Sequence, residues 1–211
     1  VQRSPFDTAL ESAEQLAELY GPAAQRAWDK DVGRFDDVVR ALIAASPLVI
    51  VSSVDGDGRC DASPRGGQPG FVTVLDDDHL AMPDATGNRR LDTLNNVVAT
   101  GQAGLLFLIP GRDQTLRVNG RACVTAAPEV LDRIESVGKP PRTAIVVRAD
   151  EVYSHCPKAF VRSKLWHPDA WPPLDAVPTA AEVMLAHQAD PSRTLADEAA
   201  YLDTSLRERL A

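Results

Sequence analysis

Residues 104–125 read GLLFLIPGRDQTLRVNGRACVT, and this stretch decides the fold. The run 104–109 is continuously apolar and stops at Pro110-Gly111, a pair that cannot continue a strand. A second strand-length run occupies 115–125. Two such runs joined by a short polar turn make an antiparallel hairpin. The pattern repeats on either side. Residues 48–54 (LVIVSSV) lead through Asp55-Gly-Asp-Gly58, a strong turn signal, into a strand at 59–62. Residues 71–75 and 79–82 flank Asp76-Asp-Asp78 as another hairpin, and 143–148 (TAIVVR) adds a strand. Short helices are expected at 89–98 and 128–137. Six or seven strands joined by tight turns, with few crossovers, predict an antiparallel barrel rather than a parallel sheet.

The flanks change period. Between 6 and 45, Leu10, Ala13, Ala17 and Tyr20 recur at helical spacing until Gly21-Pro22, which stops that helix and starts another. Phe35, Val38, Val39, Leu42 and Ile43 repeat the pattern before Pro47. Beyond 150 the reading is helical again at 157–165, 179–188 and 192–210, around a Trp/Pro-rich connector, WHPDAWPPLDAVP (166–178). The chain therefore reads as one α+β domain with a mainly β core. Residues 1–46 are N-terminal helices, 47–150 the barrel and 151–211 a C-terminal helical extension.

Composition narrows the function. The chain has 211 residues, 44% hydrophobic and 25% charged, which is globular rather than disordered. Its formal net charge of −8 disfavours a nucleic-acid surface, which needs a basic face. Three cysteines (Cys60, Cys123, Cys156) and no CxxC fit a reducing, cytoplasmic setting. The most apolar stretch, 41–51, is interrupted by Ser46-Pro47 and is too short to span a membrane.

Three clusters carry chemistry. Gly87-Asn88-Arg89-Arg90 comes after a strand and opens a helix. Unpaired helix N–H groups and two forked cations there suit a phosphate monoester, or make a capped surface helix with solvated arginines. Asp61-Ala-Ser63-Pro-Arg65-Gly66-Gly67 reads as a loop fixed by glycine and proline, able to border a planar, hydrogen-bond-rich ligand or to be a polar hairpin tip. In the third, Lys158, Arg162 and Trp166 recur every four residues and would share one helix face, a basic and aromatic stripe in an acidic chain. His155 beside Cys156 is a poor chelating pair, because neighbours on a strand face opposite ways, and no metal site is expected. Neither a dinucleotide-binding glycine pattern, a P-loop nor a nucleophile elbow is present. His79 and His187 read as lone or satisfied histidines, and Asp190, Asp197, Glu198, Asp203 and Glu208 as a solvated helix face.

In the order SPRGG (63–67), PDATGNRRLDTLNN (83–96), GLLFLIPGRDQTLRVNGRA (104–122), HCPKAFVRSKLW (155–166), the chain resembles the pyridoxamine 5′-phosphate oxidase-like FMN-binding proteins. The resemblance covers roughly 45–170. It implies a split β-barrel that dimerises, with FMN at the subunit interface. Carried over by motif, Asn88, Arg89 and Arg90 would hold the FMN phosphate, with Thr93 or Asn96 adding hydrogen bonds. Pro83 and Asp84 would lie beside the isoalloxazine, with Ser63, Arg65 and Gly66 bordering the ring and Thr115 near the flavin. Lys158, Arg162 and Trp166 would reach the site from the partner subunit. The resemblance implies an oxidoreductase acting on a small molecule, or a non-catalytic protein binding FMN or haem on the same fold; a deazaflavin is a further option. Gly67 stands where this branch commonly has an aspartate, and the C-terminal part lacks the pattern with which the true oxidases grip their substrate.

Overall fold

The computed structural model describes residues 4–85, 90–188 and 190–209. Residues 1–31 and 32–211 form separate compact units. In the first, helix α1 (Ala13–Tyr20) is capped by Ser12, whose side chain accepts from Gln15 N while Gln15 reaches back to the Ser12 N–H. Gly21 ends it at φ 68°, as expected. Beyond that glycine the chain makes only a short 3-10 turn, Gln25–Ala27, rather than a second helix.

The second unit is built on seven antiparallel strands, with helices flanking them. They are β1 (Leu48–Val54), β2 (Cys60–Gly66), β3 (Thr73–Val74), β4 (His79–Pro83), β5 (Gln102–Leu108), β6 (Thr115–Thr125) and β7 (Ala144–His155), in the order β2-β1-β5-β6-β7-β4-β3. The split antiparallel barrel expected from the sequence is the observed architecture. Alternation explains which face is filled. Val49, Val51, Leu105, Phe107, Leu116 and Val118 are all buried and sit opposite one another in register. Helix α2 (Asp37–Ala45), capped by Asp36 on Val39 N at 2.8 Å, adds Val39 and Ile43 to that core. Helix α3 (Asp92–Thr100) packs on β1 and β2 and ends at Gly101, in the left-handed region at φ 67°. Helix α4 (Pro128–Leu131) belongs to a smaller cluster with Ala81, Ile134 and Ala144.

Several expectations are corrected. The segment read as a glycine- and proline-fixed loop is strand β2, paired with β1 from Leu48↔Gly66 to Val54↔Cys60. It is an edge strand, where the missing N–H of Pro64 costs no ladder bond on the outer side. The strand expected at 71–75 shrinks to Thr73–Val74, because Phe71 and Val72 turn into the core. The helix expected at 89–98 starts at Asp92, and the one at 128–137 is four residues long. Strand β7, expected at 143–148, runs on to His155, and the first helix of the C-terminal extension starts at Lys158, within a residue of the expected 157.

That extension contains α5 (Lys158–Ser163), α6 (Ala180–His187) and α7 (Leu195–Arg209). Helix α5 ends before Trp166: Lys164 takes φ 51°, and the chain leaves the helix. Lys158, Arg162 and Trp166 therefore do not form a single helical stripe. Glu198 is not solvated but 1% exposed, accepting from Arg193 Nε at 2.8 Å and Gln188 Nε2 at 3.0 Å. A buried carboxylate needs such donors, and its hydrogen bond raises the Arg193 guanidinium further above its ordinary value. His79 is not lone: its Nδ1 lies 3.0 Å from Asp76.

Candidate functional site

Strand β2 alternates strictly. Cys60, Ala62, Pro64 and Gly66 face outward and are exposed, whereas Asp61, Ser63 and Arg65 are half-buried. In register these three lie opposite Ser53, Val51 and Val49, whose side chains point into the barrel. An edge strand thus presents an acid, a hydroxyl and a guanidinium along the inner face of the sheet. All three are engaged by local partners. Asp61 accepts from Thr93 Oγ1 at 2.7 Å, and Ser63 Oγ accepts from Arg65 Nη1, which also reaches Pro64 O at 3.1 Å.

The opposite wall is the end of β4. Pro83 is buried, and Asp84 is half-buried with its N–H on Thr143 O at 3.0 Å. Burial pushes the Asp84 carboxyl above the ordinary carboxylate range, and the positive charge of Arg65 pulls it partly back. Arg65 belongs to the first strand in the sheet order and Asp84 comes directly after the sixth; no backbone ladder joins the two. The unpaired gap between these strands is the split of the barrel, across which the Arg65 charge reaches Asp84.

Helix α3 closes the inner end. Thr93 is 2% exposed and Asn96 is 8% exposed, with Asn96 Nδ2 donating to Ser53 Oγ at 3.0 Å. The polar atoms read as ligand donors in Thr93 and Asn96 tie α3 to β2 and β1. Leu91 precedes the helix without a side-chain cap, so its first N–H groups keep no side-chain partner there. Arg90 is exposed and its Nε lies 2.5 Å from Asp92. Asn88 and Arg89 lie outside the described residues.

The remaining site residues sit elsewhere. Thr115 is buried at the start of β6, paired with His155. Its position in the alternation places it with Arg117 on the outer face, away from Leu116 and Val118. Lys158 and Arg162 are exposed on α5. Trp166 donates from Nε1 to Arg112 O at 2.8 Å and stacks on Phe160, with ring centroids 5.9 Å apart. Within one chain, Ser63, Arg65, Pro83, Asp84, Thr93 and Asn96 gather about the split. Thr115, Lys158, Arg162 and Trp166 belong to the end where β6 starts and β7 finishes. The sequence reading missed Asp61 as the anchor of Thr93, and the charge of Arg65 acting on Asp84. The first had a signal: polar residues at 61, 63 and 65 alternate with small or apolar ones, a strand period obscured by Pro64 and Gly66-Gly67.

Gly67 is required by space. A Cβ there would lie 2.7 Å from Phe71 Cβ and 2.9 Å from Val137 Cγ2. Any side chain at this position, an aspartate included, requires Phe71 and Val137 to shift. Gly67→Asp is expected to destabilise the fold by about 2–4 kcal/mol through overpacking and a poorly solvated charge. A thermal melt unchanged from wild type would show that Phe71 yields easily.

Among the described residues no group of three His, Cys, Asp or Glu is arranged to hold a metal, and no helix is long and apolar enough to cross a membrane. The family model described as pyridoxamine 5′-phosphate oxidase matches residues 35–156, from just before α2 to just past β7. The chain belongs to that family. Similar solved structures include a candidate pyridoxamine 5′-phosphate oxidase from Lactobacillus delbrueckii, 23% identical over 59% of this chain and 98% of that one, TM-score 0.47. HupZ from Group A Streptococcus is 16% identical over 57% of this chain and 93% of its own, TM-score 0.46. An F420 reductase is 18% identical over 54% and 94%, TM-score 0.39. The comparison with curated proteins finds no match.

Proposed function

We propose that this chain is a homodimeric FMN-binding protein of the pyridoxamine 5′-phosphate oxidase family, an oxidoreductase acting on a small molecule. The observation that carries the reading is the split itself. A guanidinium, a hydroxyl and a carboxyl line its two walls, and an uncapped helix start lies at its inner end. That donor set fits a planar, hydrogen-bonding ring with an anionic tail. Arg65 and Ser63 border the ring, Asp84 faces it from β4, and Arg90, Arg89 and Asn88 take the phosphate at the start of α3, where helix N–H groups favour anions. When bound, FMN supplies the hydride or electron transfer, and the chain supplies binding, orientation and charge. Arg65 offsets negative charge on the ring. Thr93 and Asn96, already bonded to Asp61 and Ser53, hold α3 in place against the barrel. They position the phosphate cradle rather than filling it.

A second copy accounts for the residues that one chain leaves apart. On the outer face of β1 and β5, Leu48 pairs with Leu108 and Ile50 with Leu106, all half-buried. This apolar strip is one that a two-fold mate would cover. Such a mate would bring its own Lys158, Arg162 and Trp166 toward the split.

The absorption spectrum of the purified protein, with mass identification of anything released on denaturation, tests the cofactor. Flavin bands and released FMN, on a particle of twice the chain mass by light scattering, are the expected result. A colourless monomer that gains no thermal stability from added FMN would refute the assignment. Flavin that is bound but not reduced by NADH or NADPH, and that turns over no substrate, would favour storage or delivery over catalysis.

A further inference from the structure

A surface cavity of about 450 Å³ lies between the end of α2 and the turn that joins β5 to β6, lined by Leu42, Ala45, Ile109, Arg112 and Gln114. None of these residues belongs to the set read as flavin ligands. Small-molecule sites occupy roughly 300–1,000 Å³ and combine apolar walls with a few polar groups, and this cavity has that make-up. Leu42 packs on the barrel core, and Ile109 is half-buried.

Both sides of the cavity are held in place. Ser46, buried directly after α2, has its Oγ 2.8 Å from Leu48 O and 2.7 Å from Leu108 O, which fixes the helix end against β1 and β5. On the other side Gly111 takes φ 78°, Arg112 N donates to Ile109 O at 2.9 Å, and Arg112 O accepts from Trp166 Nε1 at 2.8 Å. The backbone of Arg112 is thus committed to the turn while its guanidinium is not. Neither that guanidinium nor the Gln114 carboxamide has a hydrogen bond or ion pair among the described residues. Asp113, between them in sequence, does not line the cavity. Walls fixed before binding lose little further freedom when a ligand enters.

We propose that this cavity binds a small aliphatic monocarboxylate, its chain against Leu42, Ala45 and Ile109 and its carboxylate forked on the Arg112 guanidinium, with Gln114 donating a further hydrogen bond. The chemistry selects that class. A planar guanidinium matches the two oxygens of a carboxylate. One cation balances one negative charge, whereas a phosphate dianion would be left half compensated. No aromatic ring is among the lining residues, so an aromatic ligand gains no stacking there. This site is independent of the flavin reading and gives the chain a second place for a small molecule.

The test is calorimetric titration of the full chain with sodium octanoate and with octanamide, which has the same length and no charge. Octanoate is expected to bind at one site per chain and octanamide about ten- to a hundredfold more weakly, the range for losing a hydrogen bond to a charged group. Arg112→Gln should weaken octanoate by the same factor and leave octanamide unchanged, since the turn is held by the Arg112 backbone and not by its side chain. Ala45→Phe, which fills the cavity from the exposed end of α2, should remove binding of both. Circular dichroism melts confirm that each variant is folded. Absence of octanoate binding to the wild type would overturn the inference, as would octanoate affinity that either variant leaves unchanged. None of these outcomes depends on whether the protein carries flavin.

Discussion

Gly120→Ala is expected to cost the fold roughly 4 kcal/mol or more, at the far end of single-substitution effects. For a chain of this length that lowers Tm by roughly 10 °C or more. Gly120 sits at the bulge where the β6–β7 register shifts between Asn119 and Gly120. A Cβ there would come within 2.0 Å of the Arg148 carbonyl oxygen and 2.9 Å of the Asp150 nitrogen. Both obstacles are backbone, so no side-chain rotation relieves the clash. The bulge is what lets β6 and β7 stay paired over their full length, Thr115↔His155 at one end and Thr125↔Ala144 at the other. Relief of the clash would have to part these two strands near their middle. Thermal denaturation monitored by circular dichroism checks the expectation, and a melt within a few degrees of wild type would show that the bulge can shift at little cost.

The double substitution Arg89→Ala with Arg90→Ala is expected to leave the protein folded and to weaken FMN binding by roughly a hundredfold or more. Charge-assisted hydrogen bonds to a phosphate contribute about 1.5–3 kcal/mol each, and two are removed. Arg90 also holds Asp92 in the first turn of α3. Removing it exposes a carboxylate at the end of the helix where the anion would sit, which adds repulsion. Riboflavin, which lacks the phosphate, supplies the control: its affinity should change little in the double variant. The measurement is a pair of titrations, FMN and riboflavin, on stripped protein. An unchanged FMN affinity would move the phosphate away from the GNRR segment, and equal losses for both flavins would mean that the substitutions disturb the ring site or the fold.

Much of the barrel is legible in the sequence because alternation and turn chemistry are local. The β1–β2 turn at Asp55–Gly58, the hairpin around Asp76–Asp78 and the pairing of β5 with β6 come from runs of branched residues broken by glycine, proline and aspartate. Errors arise where a local signal and a tertiary one conflict. Pro64 and Gly66-Gly67 speak for a loop, but at a sheet edge a proline is tolerated and β1 imposes the strand. Phe71 continues an apolar run that reads as strand, but a glycine at 67 leaves room for it to turn into the core. Lys158, Arg162 and Trp166 keep helical spacing beyond the point where Lys164 ends the helix. Glu198 lies among residues that look solvated, and only its contact with Arg193 and Gln188 beside the α6–α7 connection buries it.

From the amino-acid order alone come the antiparallel β core and its flanking helices, since each depends on residues near one another in the chain. Only the three-dimensional arrangement decides that Asp61, Ser63 and Arg65 share an inner face, and that Thr93 and Asn96 spend their polar atoms on the barrel. It alone brings Asp84 within reach of the Arg65 charge. Those positions depend on strand register and on how far the sheet curls, and both are set by packing summed over the whole core, where no short stretch of sequence can carry the information.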